Sequence, residues 1–492
     1  MSAPSVFDRF VTRSNPTPAQ RRPSLGVPPD NDRRSRCSVD VLSREHDALC
    51  LNATDPLEIA AGLEAAGISD RRARAAYDTA TVFELAEQIY RQVPRRPTAV
   101  LRVDPWARPT RELVARGLVY ALPGLLLAGA VQRLSATEAL LLLLVSVLGA
   151  VATQALSHLY HLLAGRRQLA GAAALLRHGL VGSVLSGVLL AGIALRLGAA
   201  SWRGAAITVL AAIYLISATV VLLLDRHRLL LGLLSPAVVL SLLALIPHQP
   251  LSRGVALTAA LGSVVGALVA AWRLVDDLAG PDGPAHVVPL SRTDVAGCLP
   301  QVAHGALSMI LLSLIPLASL RAGAAGPAAL GPVMLPAVLS LGAAEVHLYG
   351  FRRQAAGLLV GSRPRAFTLA VRRHLLRRVT SYTLLLVALT AGVALVGHRS
   401  LQADAHTTGH LMTYLLLAVA LFVASLLVST GYVLTVATIE GAVLMLDVAL
   451  AHLPGGLAPL SATAVHVTSA AAFVAVMLVF ATVLLGRMVS HR

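Results

Sequence analysis

Two acids sit where acids are expensive. Glu440 and Asp447 lie seven residues apart in the apolar run TIEGAVLMLDVALAHL, residues 438–453. Seven residues make about two helical turns, so a helix there presents both carboxylates on one face. A charge at the centre of a hydrocarbon layer costs about 2.5–3.5 kcal/mol or more, so such acids turn toward a protein interior and are natural proton-coupling groups. Glu345 stands two residues before His347 at the end of another apolar run. Gln154 and His158 hold the matching place in an earlier run, Gln301 and His304 open a third, and Tyr214 is central in a fourth. Each could contact substrate, carry a proton, or simply bond one helix to another. Asp447 and Glu345 are the strongest candidates for coupling. Pro123, Pro316, Pro332 and Pro336 fall in the same class of run, where a proline removes a backbone bond and permits a kink.

The elements that must hold these residues are membrane helices. Of 492 residues 56% are hydrophobic and 13% charged, against about 25% charged in soluble domains. Runs of about 20 apolar residues, each able to cross a ~30 Å hydrocarbon core, recur from about residue 113 onward. The expected fold is therefore all-α and polytopic. Twelve spans are expected, at about 113–131, 138–163, 179–199, 204–224, 229–247, 254–272, 297–320, 328–350, 380–397, 411–436, 438–453 and 464–486. With the N-terminus inside, arginines of the even-numbered loops outnumber those of the odd-numbered loops fifteen to six. The positive-inside bias then puts both termini in the cytosol of a bacterial cytoplasmic membrane.

All 41 basic residues are arginine, and the net charge is +16. This usage, with abundant Ala, Gly and Leu, suits a GC-rich genome such as that of an actinobacterium. The placement of the arginines speaks for topology, so no nucleic-acid partner is expected. Cys37, Cys50 and Cys298 show no metal spacing and fit a reducing compartment. No signal peptide is expected, because the first apolar run follows a polar, Pro-rich start. No Walker A motif, His/Cys cluster, Ser-His-Asp set or Gly-rich nucleotide loop occurs, so neither an enzyme nor a cofactor or metal is expected.

The front of the chain reads differently. Residues 1–35 are rich in Pro, Ser and Arg and are expected to be a disordered tail. Residues 36–94 are expected to form a small cytosolic helical module. Thr54 or Asp55 can cap its first helix, Gly67 can end it, Ser69-Asp70 can cap a second, and Val82 to Tyr90 form a third with Phe83 among its apolar residues. Residues 54–93 could dock a cytosolic protein. Residues 95–112 are a juxtamembrane linker, with Trp106 suited to the membrane interface.

One repeat stands out. HLYHLLAGRRQ begins at His158 and HLYGFRRQ at His347, each expected to end a span, the second and the eighth. The echo falls where a six-plus-six duplication would put it. Residues 113–275 and 297–487 then make two six-helix bundles, joined by a cytosolic loop at 276–296 and followed by a short tail, 488–492. Two such halves are a transporter architecture.

The stretch ALSHLYHLLAGRRQLAGAAALLRHGLVGSVLSGVLL, residues 155–190, resembles the second span, basic turn and third span of the multidrug/oligosaccharidyl-lipid/polysaccharide exporter superfamily, which holds MATE exporters and lipid-linked sugar flippases. The resemblance covers residues 110–487 in layout. It implies alternating-access export, with membrane lipids around the chain and a lipid-linked or amphipathic envelope precursor as substrate. The sequence departs from that family in its first span, which carries Glu112 and Arg116 only at one end, and it lacks the central arginines of lipid-carrier flippases. The major facilitator type is the other twelve-span family, but Gly165-Arg166-Arg167 lacks the aspartate of its loop signature. A second function fits the layout: a non-transporting scaffold for division or septum assembly, as in septum-associated membrane proteins of actinobacteria.

Overall fold

The structure is a computed structural model, and it describes residues 39–53, 55–93, 110–131, 135–243, 253–279, 290–321, 330–359, 364–397, 405–452 and 461–487. The expected tail 1–35 and Trp106 lie outside those residues. The chain divides into two compact units, Met1–Pro105 and Trp106–Arg492.

Among its described residues the first unit holds the three expected helices, preceded by two more: α1 (Val39–Glu45), α2 (Asp47–Asn52), α3 (Pro56–Ala65), α4 (Asp70–Tyr77) and α5 (Val82–Gln92). Asp55 caps α3 through the Leu57 N–H, with Pro56 in the first turn, and Gly67 leaves the helix at φ +81°. Ser69 makes no side-chain cap on α4. Asp70 instead accepts from the Val82 N–H, so the acid expected to start α4 also starts α5. Leu42, Ile59, Leu63, Leu85 and Ile89 pack the core, whereas Phe83 is exposed. Cys50 is buried here, and burial, with the Asp47 carboxylate second, pushes its thiol pKa up.

The second unit is an all-α membrane protein of two six-helix halves. Its first half is α6 (Thr110–Val131), α7 (Ala136–Gly165), α8 (Leu169–Arg196), α9 (Trp202–Leu223), α10 (His227–Leu243) and α11 (Arg253–Ala279). A short helix, α12 (Arg292–Gly297), leads into the second half. That half is α13 (Leu299–Arg321), α14 (Leu330–Leu359), α15 (Pro364–Gly397), α16 (Ala405–Val428), α17 (Val433–Ala451) and α18 (Ala462–Leu484). Among the described residues ten helices are long and apolar enough to cross a membrane, and His227–Leu240 is a shorter apolar one.

The same neighbours recur in each half. Its first helix packs on its fifth, its second on its third and fourth, its third on its fourth, its fourth on its sixth, and its fifth on its sixth. The halves meet through α6 against α14 and through α7 against α13. Exchanging the halves turns the first of these contacts into the second, which is what a two-fold relation requires.

Several expected boundaries move. The basic stretch before the third span is no loop: α8 runs unbroken from Leu169. Likewise α15 starts at Pro364 and carries the basic segment as helix. The expected loop 276–296 begins inside α11 and ends inside α12. The tenth span stops at Val428, not 436, because Gly431 turns the chain at φ +94° and the Tyr432 N–H bonds back to Leu427. The RRQ echo is also unequal. Arg166-Arg167-Gln168 ends α7, with Arg167 at φ +60°, whereas Arg352-Arg353-Gln354 lies inside α14. His-to-Arg spacing is three residues shorter in the second copy, so the same tripeptide meets a different turn of helix. Pro332 falls in the first turn of α14, where a missing N–H breaks no helical bond, so it is no kink site. Pro316 and Pro336 are interior to α13 and α14, and Pro123 falls within α6.

Candidate functional site

The helix α17 carries Glu440 and Asp447 on one buried face, and each acid meets a histidine. Glu440 is fully buried. His304 Nδ1 on α13 lies 3.0 Å from both its carboxylate oxygens, and Ser308 Oγ, one turn along α13, donates to Oε1 at 2.8 Å. Two turns away, Asp447 Oδ1 lies 3.0 Å from His466 Nδ1 on α18. With the carboxylates as acceptors, Nδ1 carries the proton in both rings. A lone buried carboxylate is costly, and a histidine partner lowers that cost. The arrangement therefore places two carboxylate–histidine pairs at two levels about 10 Å apart along α17.

The lower-priority contacts differ in kind. Asp447 and His466 line a small cavity with Thr413, Ser469 and a wall of Leu and Val side chains. His466 Nε2 and Ser469 Oγ are buried there without a hydrogen-bond partner. His466 escaped the sequence reading: it sits in SATAVHVTSAAAF with no acid nearby in sequence, and only the α17–α18 contact pairs it.

Glu345 is placed elsewhere, at the seam. Its Oε1 is 3.1 Å from Arg116 Nε of α6, and Arg116 Nη1 is 3.8 Å from Asp225 at the end of α9. Arg228 pairs with Glu112 at 3.2 Å. Glu112, Arg116, Asp225 and Arg228 lie at or near helix ends that share one end of the bundle, and Glu345, midway along α14, joins them through Arg116. Arg166 joins them there: its guanidinium grips Asp294 with two bonds of 2.9 and 2.6 Å, and Asp294 also completes a capping box with Ser291. That bond holds Arg166 more firmly charged than a free arginine. Gln154 faces α13, where a Cβ on Gly305 would meet its Cγ, and His158 faces the end of α12, where one on Gly297 would approach its ring. His347 stacks edge-on against Tyr382 and Phe422. Gln301 Oε1 is buried without a partner. Tyr214 packs on the aliphatic core of the first half and joins none of these clusters. Among the described residues no three potential metal ligands come together.

No family model matches the chain, and no curated protein matches it. Solved structures do resemble it in layout. An outward-facing multidrug resistance MATE family transporter of the MOP superfamily has a TM-score of 0.47 at 15% identity, over 77% of this chain and 96% of that one. A MOP superfamily transporter from Pyrococcus furiosus, described as having a binding pocket of reversed polarity, scores 0.49 at 15% identity with the same coverage. An inward-facing MATE family transporter scores 0.44 at 14% identity, over 77% of this chain and 94% of that one.

Proposed function

We propose that the chain is a transporter of the flippase or exporter type, moving a lipid-linked or amphipathic envelope precursor across the cytoplasmic membrane by alternating access. Both termini lie in the cytosol in this reading, on the strength of the arginine bias. The observation that carries it is the exchangeable seam. Two halves with the same internal packing meet through two symmetry-related contacts, a geometry in which one half can rock on the other. The buried pairs Glu440–His304 and Asp447–His466 then supply protonatable groups in the moving part, and Glu345–Arg116 belongs to the seam.

The test is complementation of a deletion strain, scored at equal membrane abundance. Asp447→Asn and Glu440→Gln keep volume and hydrogen bonding but remove the charge, so both should localise normally and lose activity, while Asp447→Glu keeps part of it. Full complementation by the doubly neutral variant would favour the non-transporting scaffold for division or septum assembly, recruited through residues 54–93.

A further inference from the structure

A second feature lies in the other half, on the flank of α8. Helices α7 and α8 part to leave a groove of about 910 Å³, backed by Ala212 and Ile216 of α9. It runs from Val145 to Leu159 on one wall and from Leu175 to Leu190 on the other. At 1.5 Å per residue each wall is about 21–23 Å long, most of a leaflet-to-leaflet hydrocarbon path of ~30 Å. The groove exists because small residues line it, Gly149, Ala152 and Ala155 on one wall and Gly179, Gly182 and Ser186 on the other leaving the space that larger side chains would fill. Its hydroxyls offer nothing to a polar guest: Ser183 donates to Leu180 O and Ser186 to Ser183 O. A long, narrow, apolar slot between two membrane helices fits a single hydrocarbon chain.

One end of the slot is different. His178 lines it and also lines an adjoining cavity of about 770 Å³, shared with Arg177 and Trp272. Arg177 and His178 interrupt the apolar run of α8 about two turns from its start, about 20 residues before its far end at Arg196, which suits headgroup level, with Trp272 as an interfacial aromatic. Arg177 gives Nη2 to Asp276 at 2.6 Å. A guanidinium has five N–H donors, so one carboxylate does not exhaust it.

We propose that this groove is a binding site for one anionic phospholipid of the surrounding bilayer, its acyl chain between α7 and α8 and its phosphate at Arg177, with His178, whose Nδ1 donates to the Ala174 carbonyl, lining the passage between them. The site stands whether or not the chain transports anything. Its walls hold α7 against α8 just before the Arg166 corner, so an occupied site props the first half of the seam.

Gly182 supplies the test, because a Cβ added there meets nothing within 4 Å. The first atom of a Gly182→Leu side chain therefore enters open space, and the rest of it occupies the slot. Gly192, on the same helix, is equally open but lies outside the slot, so Gly192→Leu is the matched control. Full-length protein in micelles is offered dioleoyl phosphatidylglycerol or dioleoyl phosphatidylcholine and examined by native mass spectrometry. Wild type and Gly192→Leu should retain one phosphatidylglycerol and little phosphatidylcholine. Gly182→Leu should lose the retained lipid, and so should Ala152→Leu, which fills the slot from the opposite wall. Arg177→Gln should bring phosphatidylglycerol down to the phosphatidylcholine level. Retention of phosphatidylglycerol by either monodisperse slot-filling variant would overturn the site, and so would equal retention of the two lipids by wild type.

Discussion

The two halves of the membrane unit share a packing plan and little else. In the first half the core is aliphatic: Val119, Leu176, Leu180, Val220, Leu230 and Leu234 pack together without a buried aromatic. In the second half Phe351, Phe367, Tyr382, Phe422 and Phe473 fill the corresponding space. The polar load divides the same way. Among the described residues the buried acids are Glu440 and Asp447, both on α17, whereas α10, its counterpart, offers Ser235 and Pro236 at its centre. The two halves thus share contacts but not chemistry. Contacts are set by helix length and order; a buried charge needs a partner on a neighbouring helix, and α13 and α18 of the second half carry histidines there.

The seam is where the halves should be most alike, and it offers the severest way to break the comparison. Its two contacts are related by exchange but differ in what touches. A Cβ on Gly117 would lie 2.0 Å from the Gly342 Cα, backbone against backbone. A Cβ on Gly305 would meet the Gln154 side chain at 2.6 Å, and that side chain can move. Gly117→Ala should therefore cost at or above the ~3 kcal/mol end of overpacking, and Gly305→Ala should cost far less. Gly342→Ala should also be mild, since its Cβ would find nothing closer than 3.4 Å. Thermal stability of the detergent-solubilised protein ranks the three. Equal losses at Gly117 and Gly305 would mean that the two contacts are equivalent after all.

A smaller effect separates the halves by their buried polar groups. Glu440→Leu strands His304 and Ser308 without an acceptor, and a stranded buried group costs about 1–3 kcal/mol. In the first half the comparable inter-helix bond is Ser263 Oγ to Leu233 O at 2.7 Å, between α11 and α10. Ser263→Ala removes the donor alone, so the loss should be near the ~0.6 kcal/mol average for such bonds in membranes. Unfolding in mixed micelles measures both. If Ser263→Ala costs as much as Glu440→Leu, the polar asymmetry between the halves carries no energetic weight.

Part of this asymmetry could be read in the sequence. Glu440 and Asp447 share a face because their spacing is two turns, and that follows from helix geometry alone. The twelve apolar runs likewise all fall on helices, ten of them among the described residues long and apolar enough to cross a membrane, since hydrocarbon thickness fixes the minimum length of a span. Their partners were less legible. His304 had only its position early in an apolar run, and His466 had no mark at all, because pairing across α17 and α18 depends on rotation about each helix axis. Helix ends failed for another reason: hydropathy drops before the backbone stops being helical, so α8 and α15 begin about ten and sixteen residues before the expected spans. The RRQ echo, read as a pair of matching corners, shows that a repeated tripeptide can meet a helix end once and a helix interior once.

The smallest effect concerns the one corner that is a corner. Arg166 is exposed and Asp294 lies partly buried beside it, so their attraction is screened by water and salt from the arginine side and should add little to stability. Their place gives them another use, because they tie the end of α7 in one half to the helix leading into α13 in the other. Arg352, the matching arginine of the second copy, donates to the Ser429 carbonyl within its own half. Arg166→Ala, Asp294→Asn and the double variant form a cycle whose coupling should shrink as salt rises from 50 mM to 500 mM. The read-out is reactivity of a single cysteine placed at Gly297, which faces His158 across the seam. Breaking the latch at Arg166 should raise that reactivity modestly at low salt and less at high salt, while Arg352→Ala should leave it unchanged. A salt-independent rise, or an equal rise from Arg352→Ala, would show that the corner is ordinary packing and that the halves are joined by α6–α14 and α7–α13 alone.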